Sequence, residues 1–287
     1  MRVSTALALF SAVAAFSTAA GSPAVVSEAS ALYQRTDYED SLHVLSRDPT
    51  PDAVVYLLSG KNYFMLGDYK RAIDFFEKAL ALSPSDSEYE LWLGRAWGRR
   101  AETSGWWMAP MLASKARQHF EKAVALDSHN REASNDLFDF YLNAPGFLGG
   151  GIEKAEAIAR KIASERPPES EFEQAQIADR RKDHAAAETH LRRAMELAPG
   201  QPGRRVDLAR YLAQRGRLSE SDQLFEEARK MAPGLPRIAF AEARVDIENH
   251  RNLEQARGLL EQYLRSPLTP DDPPRREAEK LLRRAGG

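Results

Sequence analysis

Between Ala53 and Asp86 the chain reads AVVYLLSGKNYFMLGDYKRAIDFFEKALALSPSD, two apolar-rich stretches with a Gly-Asp break between them and a Ser-Pro stop at the end. In the second stretch Ala72, Phe76 and Ala79 recur at i, i+4 and i+7, the period of a helix with one buried face. The landmarks then return at a fixed interval. Gly60 and Gly94 are 34 positions apart, and so are Ala175 and Ala209, Ala209 and Ala243, Ala194 and Ala228, and Pro199 and Pro233. Independent landmarks sharing one such interval predict a stacked repeat rather than a helical bundle with coincident spacings. Pro84, Pro199 and Pro233 cannot continue a helix, so each stops one just before the next unit begins.

Within residues 53–86 the positions Tyr56, Gly60, Tyr63, Gly67, Tyr69, Ala72, Phe76, Ala79 and Pro84 follow an aromatic, small, aromatic, turn, aromatic, small, aromatic, small, proline order. The segment resembles the tetratricopeptide repeat (TPR) family closely, and the likeness is weaker but in register over most of the chain. The resemblance implies an all-α, right-handed α-solenoid of stacked antiparallel helix pairs, a TPR superhelix with a C-terminal capping helix. Small residues let two helix backbones approach, and Tyr56, Tyr63 and Phe76 fill the space that remains. One pair cannot bury its apolar face alone; its neighbours do so. The expected units are 53–86, 87–130, 131–167, 168–201, 202–235 and 236–267. A short linker at 21–26 and a shortened unit at 27–52 precede them. A linker and a capping helix fill 268–287, the helix running from Pro274 to Ala285 with Ala278, Leu281, Leu282 and Ala285 on one side.

Two units depart from the interval. Gly60 to Ala72 is 12 positions, but the matching Gly94 to Ala116 is 22; Phe138 to Ala155 is 17, five more than expected. Both additions fall between the first and second helix of their units, so they belong side by side on one edge of the stack. That edge carries Trp106, Trp107, Met108, Met111, Phe147 and Leu148, bordered by Arg99 and Arg100. Two readings are open: the aromatics fold back and fill a wedge between longer helices, or they form a partner site of the kind enriched in interface cores. The general tendency of Trp to be buried favours the first. Gly149, Gly150 and Gly151 lack the Lys-Ser/Thr ending of a phosphate loop and are expected to be a flexible turn.

In the family, exposed positions of the first helices line a concave groove that binds a peptide or a partner helix. The matching positions here are Lys61, Phe64, Arg95, Asn135, Asp139, Gln176, Arg180, Arg210, Gln214, Phe240 and Arg244, with Arg99 again among them. The Lys/Asn/Arg set that clamps a C-terminal carboxylate in one subgroup is absent: Leu57, Trp92, Glu132 and Asp136 stand there instead.

Residues 1–20 alter the picture of where the chain works. One early cation, Arg2, is followed by Thr5 to Ala20 without a charge, ending in small residues; this predicts a signal peptide cleaved after Ala20 and an exported, periplasmic or secreted chain. The 287 residues carry 40 Lys+Arg against 42 Asp+Glu and no Cys. The near-neutral balance argues against a nucleic-acid binder, and the lack of Cys removes disulfides, thiol catalysis and Cys-based metal sites. The six histidines are dispersed. His184 and Glu188 share a helix face at i, i+4, but no HExxH accompanies them. No catalytic, cofactor or metal set is predicted. The expectation is a non-catalytic scaffold for a protein or peptide partner, in envelope assembly, export or maturation of exported proteins. Its rivals are a membrane-surface or anionic-polymer binder using the aromatic and basic loop, which is disfavoured, and an enzyme of unfamiliar type.

Overall fold

The computed structural model describes residues 23–286, which hold fifteen α-helices and no strand. Residues 1–20, expected to be a signal peptide, lie outside the described residues. The helices pair in chain order. A leading pair, α1 (Pro23–Gln34) and α2 (Tyr38–Leu45), precedes α3 (Ala53–Met65) with α4 (Tyr69–Leu82), and α5 (Ser87–Glu102) with α6 (Ala109–Leu126). There follow α7 (Arg131–Asn143) with α8 (Ile152–Ile162), and α9 (Pro167–Arg180) with α10 (His184–Leu197). The last pairs are α11 (Pro202–Gln214) with α12 (Leu218–Met231), and α13 (Pro236–Glu248) with α14 (Leu253–Arg265); α15 (Arg275–Ala285) closes the stack. Helix α1 starts at Pro23, so most of the segment expected to be a linker at 21–26 is helical.

Local chemistry sets the helix ends. The side chains of Asp52, Asp68, Asp86, Asn130 and Asp183 accept hydrogen bonds from the backbone N–H groups of the first turns of α3, α4, α5, α7 and α10. Prolines in the first turn of α6, α9, α11 and α13 lack only N–H groups that a helix start leaves unpaired anyway. The short turns within five of the pairs use a left-handed residue. Gly67 and Gly216 supply it at φ 82° and 75°, while Thr36, Lys182 and His250 adopt it at φ 65°, 64° and 54°.

Small-against-large packing joins the two helices of a pair. A Cβ on Gly60 would lie 2.4 Å from the ring of Phe76, and one on Gly94 would lie 2.5 Å from the ring of Phe120, so glycine is required where these rings cross. Ala72, Ala79, Ala96, Ala116 and Ala123 are fully or almost fully buried around them. Further along, Leu208, Leu212, Phe225 and Ile238 form the core of the C-terminal half. Polar links bridge pairs: Asn62 donates to the hydroxyl of Ser41 at 2.9 Å, and Ser41 donates to the carbonyl of Ala29 at 2.8 Å. Glu90, fully buried on α5, meets His119 at 2.6 Å and Lys122 at 2.5 Å on α6. Burial pushes this carboxyl up, but the hydrogen bonds to His119 and Lys122 outweigh it and hold it below the ordinary value.

The extra residues of the third pair mostly lengthen helices. Helix α5 has 16 residues against 13 in α3, and α6 has 18 against 14 in α4; the remainder enlarges the turn. In the next pair the additions form a true loop with a short 3-10 turn at Gly146–Leu148. This loop is pinned rather than slack. Gly150 and Gly151 donate backbone hydrogen bonds to Pro145 and Tyr141, and a Cβ on Gly150 would collide with the carbonyl of Ala144. The expected flexible glycine turn is therefore a closely bonded one.

Candidate functional site

The first helices line the inner face of the solenoid, and a large concavity lies at its N-terminal half. It is a groove of about 1050 Å³ bounded by α1, α3, α5, α6 and α7 on one side. Pro270 and Asp271, from the segment between α14 and α15, close it on the other. The chain therefore curves until its end faces its beginning. On the same side, the guanidinium of Arg276 reaches to 3.1 Å from where a Gly67 Cβ would stand.

The C-terminal segment is held in place by its own bonds. Asp272 accepts from the backbone N–H and hydroxyl of Thr269 at 2.9 and 3.0 Å. The hydroxyl of Tyr263 donates to the carbonyl of Pro273, and Arg275 donates to the carbonyl of Leu264 at 2.6 Å.

Trp92 is the centre of the groove wall. Its ring meets Phe64 edge-on at 5.4 Å, tilts against Phe76 at 5.9 Å, and has Lys61 and Arg95 over it at 5.0 and 4.8 Å. The cations are themselves engaged: Lys61 with Glu88 at 2.5 Å, Arg95 with Glu132 at 2.8 Å and Asp136 at 2.5 Å, and Arg99 with Glu102. Lys61, Arg95 and Arg99 face six carboxylates around the groove, those of Glu88, Glu102, Glu132, Asp136, Asp139 and Asp271. The net field is thus negative. Asp139 has no cationic partner among the described residues; loss of water around it, and then the like charge of Asp136, push its carboxyl up to about 6. Asp136 is also raised, by burial, against the pull of Arg95.

The expected inner-face residues divide. Lys61, Phe64, Arg95, Arg99 and Asp139 line this groove, while Gln176, Arg180, Arg210 and Gln214 line a second, smaller pocket of about 390 Å³ between α9 and α11. Asn135 is exposed but lines neither, being one position off the stripe of Glu132, Asp136, Asp139 and Asn143. Arg244 is exposed and paired with Glu248 at 2.9 Å. Phe240 is not a groove residue: it is 4 % exposed, tilted against Tyr263 at 5.1 Å in the core that α15 covers. A closing helix buries the last pair on the side where a further unit would stack.

The edge set also divides. Arg99 and Leu148 turn to the groove, and Arg100 lies over the ring of Trp97 at 5.5 Å. Trp106, Trp107, Met111 and Phe147 are 84, 68, 52 and 81 % exposed, and Met108 is exposed as well. The wedge-filling expectation for these aromatics is overturned. The rings of Trp106 and Trp107 meet edge-on at 6.2 Å, and Trp107 lies over Gly105. The space between the longer helices is filled instead by Trp97, Leu112 and Ala116.

Trp92 and Asp136, placed by the repeat pattern only as replacements in a carboxylate clamp, line the groove, as do Tyr33, Phe140 and the Pro270–Asp271 segment, which that pattern did not single out. Trp92 shares the face of Arg95 and Arg99 at i, i+3 and i+7, a spacing visible in the sequence; the approach of residues 270–271 is not. His184 and Glu188 go separate ways, His184 to Asp179 at 3.2 Å and Glu188 to Arg192 and Arg217. Among the described residues no group of three or more His, Asp or Glu converges to hold a metal ion.

Residues 53–86 match the tetratricopeptide repeat family. No curated protein matches the sequence. Among solved structures, the chain is similar to a tetratricopeptide repeat protein from Parabacteroides merdae, with TM-score 0.59 and 11 % identity over 92 % of this chain and 98 % of that one. It is also similar to human IFIT1 in a dimer with PPP-AAAA, with TM-score 0.55 and 17 % identity over 84 % of this chain and 54 % of that one. The fold is a solenoid of stacked helix pairs of the tetratricopeptide type.

Proposed function

We propose that this protein is an exported TPR scaffold without chemistry of its own, holding a segment of a partner polypeptide in the groove between α1–α7 and residues 270–271. It serves the assembly of the cell envelope, or the export or maturation of exported proteins. The single observation that supports the reading is the groove itself. Its aromatic wall at Phe64, Trp92 and Phe140 offers apolar contact. Six carboxylates against three cations favour a segment carrying Lys or Arg among apolar side chains, and disfavour a polyanion, nucleic acid included.

Site-specific photo-crosslinking tests it. A benzoylphenylalanine placed at Phe64, inside the groove, should capture a discrete polypeptide from the cell envelope, and the capture should fall when Trp92 is replaced by Ala. The same group at Glu77, exposed on α4, should capture none. Equal labelling from both positions, or none from Phe64, would remove the groove as the binding site.

A further inference from the structure

Outside the groove, the most exposed aromatic cluster among the described residues sits on the edge formed by the turns within helix pairs. Trp106, Trp107 and Met111 stand on the third pair, and Phe147 on the next. Lengthening α5 by three residues and α6 by four relative to α3 and α4 lifts the first tip beyond its neighbour by roughly 5 Å, at 1.5 Å of rise per residue. Among the described residues nothing covers its rings, Trp106 and Phe147 being more than four-fifths exposed.

The charge beside it is net positive: Glu102 at the end of α5 pairs with Arg99, which leaves Arg100 and Lys115 over. Arg100 and Lys115 stack on Trp97, Lys115 at 4.0 Å, and neither makes an ion pair among the described residues. One unit past Phe147, in the turn between α9 and α10, Lys182 stands with a left-handed backbone and no ion pair of its own among the described residues. Protruding Trp and Phe flanked by free cations match the chemistry of a bilayer interface, where amphipathic rings settle at headgroup depth and Lys and Arg meet anionic lipid.

We infer that the edge bearing Trp106, Trp107, Met111 and Phe147 docks on an anionic lipid surface, leaving the groove open to its polypeptide. Aromatic insertion and charge attraction act together here, the two-signal arrangement that stable peripheral attachment requires.

Vesicle co-sedimentation tests the inference, using the chain from Gly21 onward, which keeps every described helix and drops the apolar N-terminal stretch. Sedimentation with vesicles of equimolar phosphatidylglycerol and phosphatidylcholine is expected, weakening in high salt, with little binding to phosphatidylcholine alone. Replacing Trp106, Trp107 and Phe147 together by Ser should lower partitioning about tenfold or more while the helical circular-dichroism spectrum and melting curve stay unchanged. The double variant Arg100→Gln, Lys115→Gln should lower only the salt-sensitive part. Absence of binding to anionic vesicles, or unchanged binding by the Ser variant, would overturn the inference. So would a wild-type dimer that the Ser variant converts to monomer while neither binds vesicles, which would make the edge a contact between copies of this chain.

Discussion

Gly60 and Gly98 occupy comparable helix interiors yet stand in opposite surroundings. A Cβ at 60 meets the fully buried Phe76 ring, which has nowhere to move; a Cβ at 98 finds its first neighbour, Ala116, at 3.8 Å. Gly60→Ala should therefore cost about 1–3 kcal/mol through overpacking, whereas Gly98→Ala should gain up to about 1 kcal/mol from helix propensity. Urea unfolding of both variants measures the contrast, and a neutral Gly60→Ala would show that the pair is packed loosely. Glu173 makes a second residue-scale prediction. It is buried on α9 with one carboxylate oxygen lacking a hydrogen-bond partner, and burial above all raises its carboxyl from 4.5 to about 8; Arg166 opposes the shift, and Asp139 and Glu169 add to it. A raised acid favours the folded state fully below pH 4.5, and that contribution is lost as pH rises towards and through 8. The melting temperature should fall between pH 5 and pH 9, and Glu173→Gln should flatten the fall and raise the melting point at the alkaline end. Parallel curves for the two proteins would contradict the assignment.

Within the helix pair, the short turns that pass through a left-handed residue meet that demand unevenly. Three units place Thr36, Lys182 and His250 in the left-handed region that Gly67 and Gly216 occupy without strain. Thr36 is β-branched and carries the greatest penalty. Thr36→Gly should stabilise the first pair by about 0.5–1 kcal/mol, the relieved strain being partly offset by the freer unfolded chain. Calorimetry on the full chain would register it as a higher onset of melting; a lower one would mean that Thr36 makes contacts worth more than its strain. Helix pairs and their turns were the most legible part of the sequence, because each pair is specified by contacts close along the chain. Ala72, Phe76 and Ala79 declare a buried face by spacing alone. The insertion after Gly94 was legible in length but not in kind. Nothing in Arg99–Met111 distinguishes a longer loop from two longer helices, since Arg, Ala, Glu and Met suit a helix whichever way the pair ends. Phe240 was misplaced because its groove position is covered by α15, an element outside the repeating pattern.

For the whole molecule, the groove comes from curvature. Each unit turns a little relative to the last, and the accumulated rotation brings Pro270 and Asp271 opposite Tyr33 and Gln34. No local pattern encodes that meeting, which is why the inner-face residues Lys61, Phe64, Arg95 and Asp139 could be placed from the repeat while the opposite wall could not. Asp272 is the residue that fixes this wall, by accepting two hydrogen bonds from Thr269 and lying 3.5 Å from Arg237. The two ends of the solenoid thus share one groove. The chain has no cysteine, so spin labels introduced at Gln34 and Asp271 report on those two sites alone. Electron double resonance between them should give a single narrow distribution at the short end of the accessible range. A broad distribution, or one centred at the long separation of an open superhelix, would contradict the closed groove and the binding site built on it.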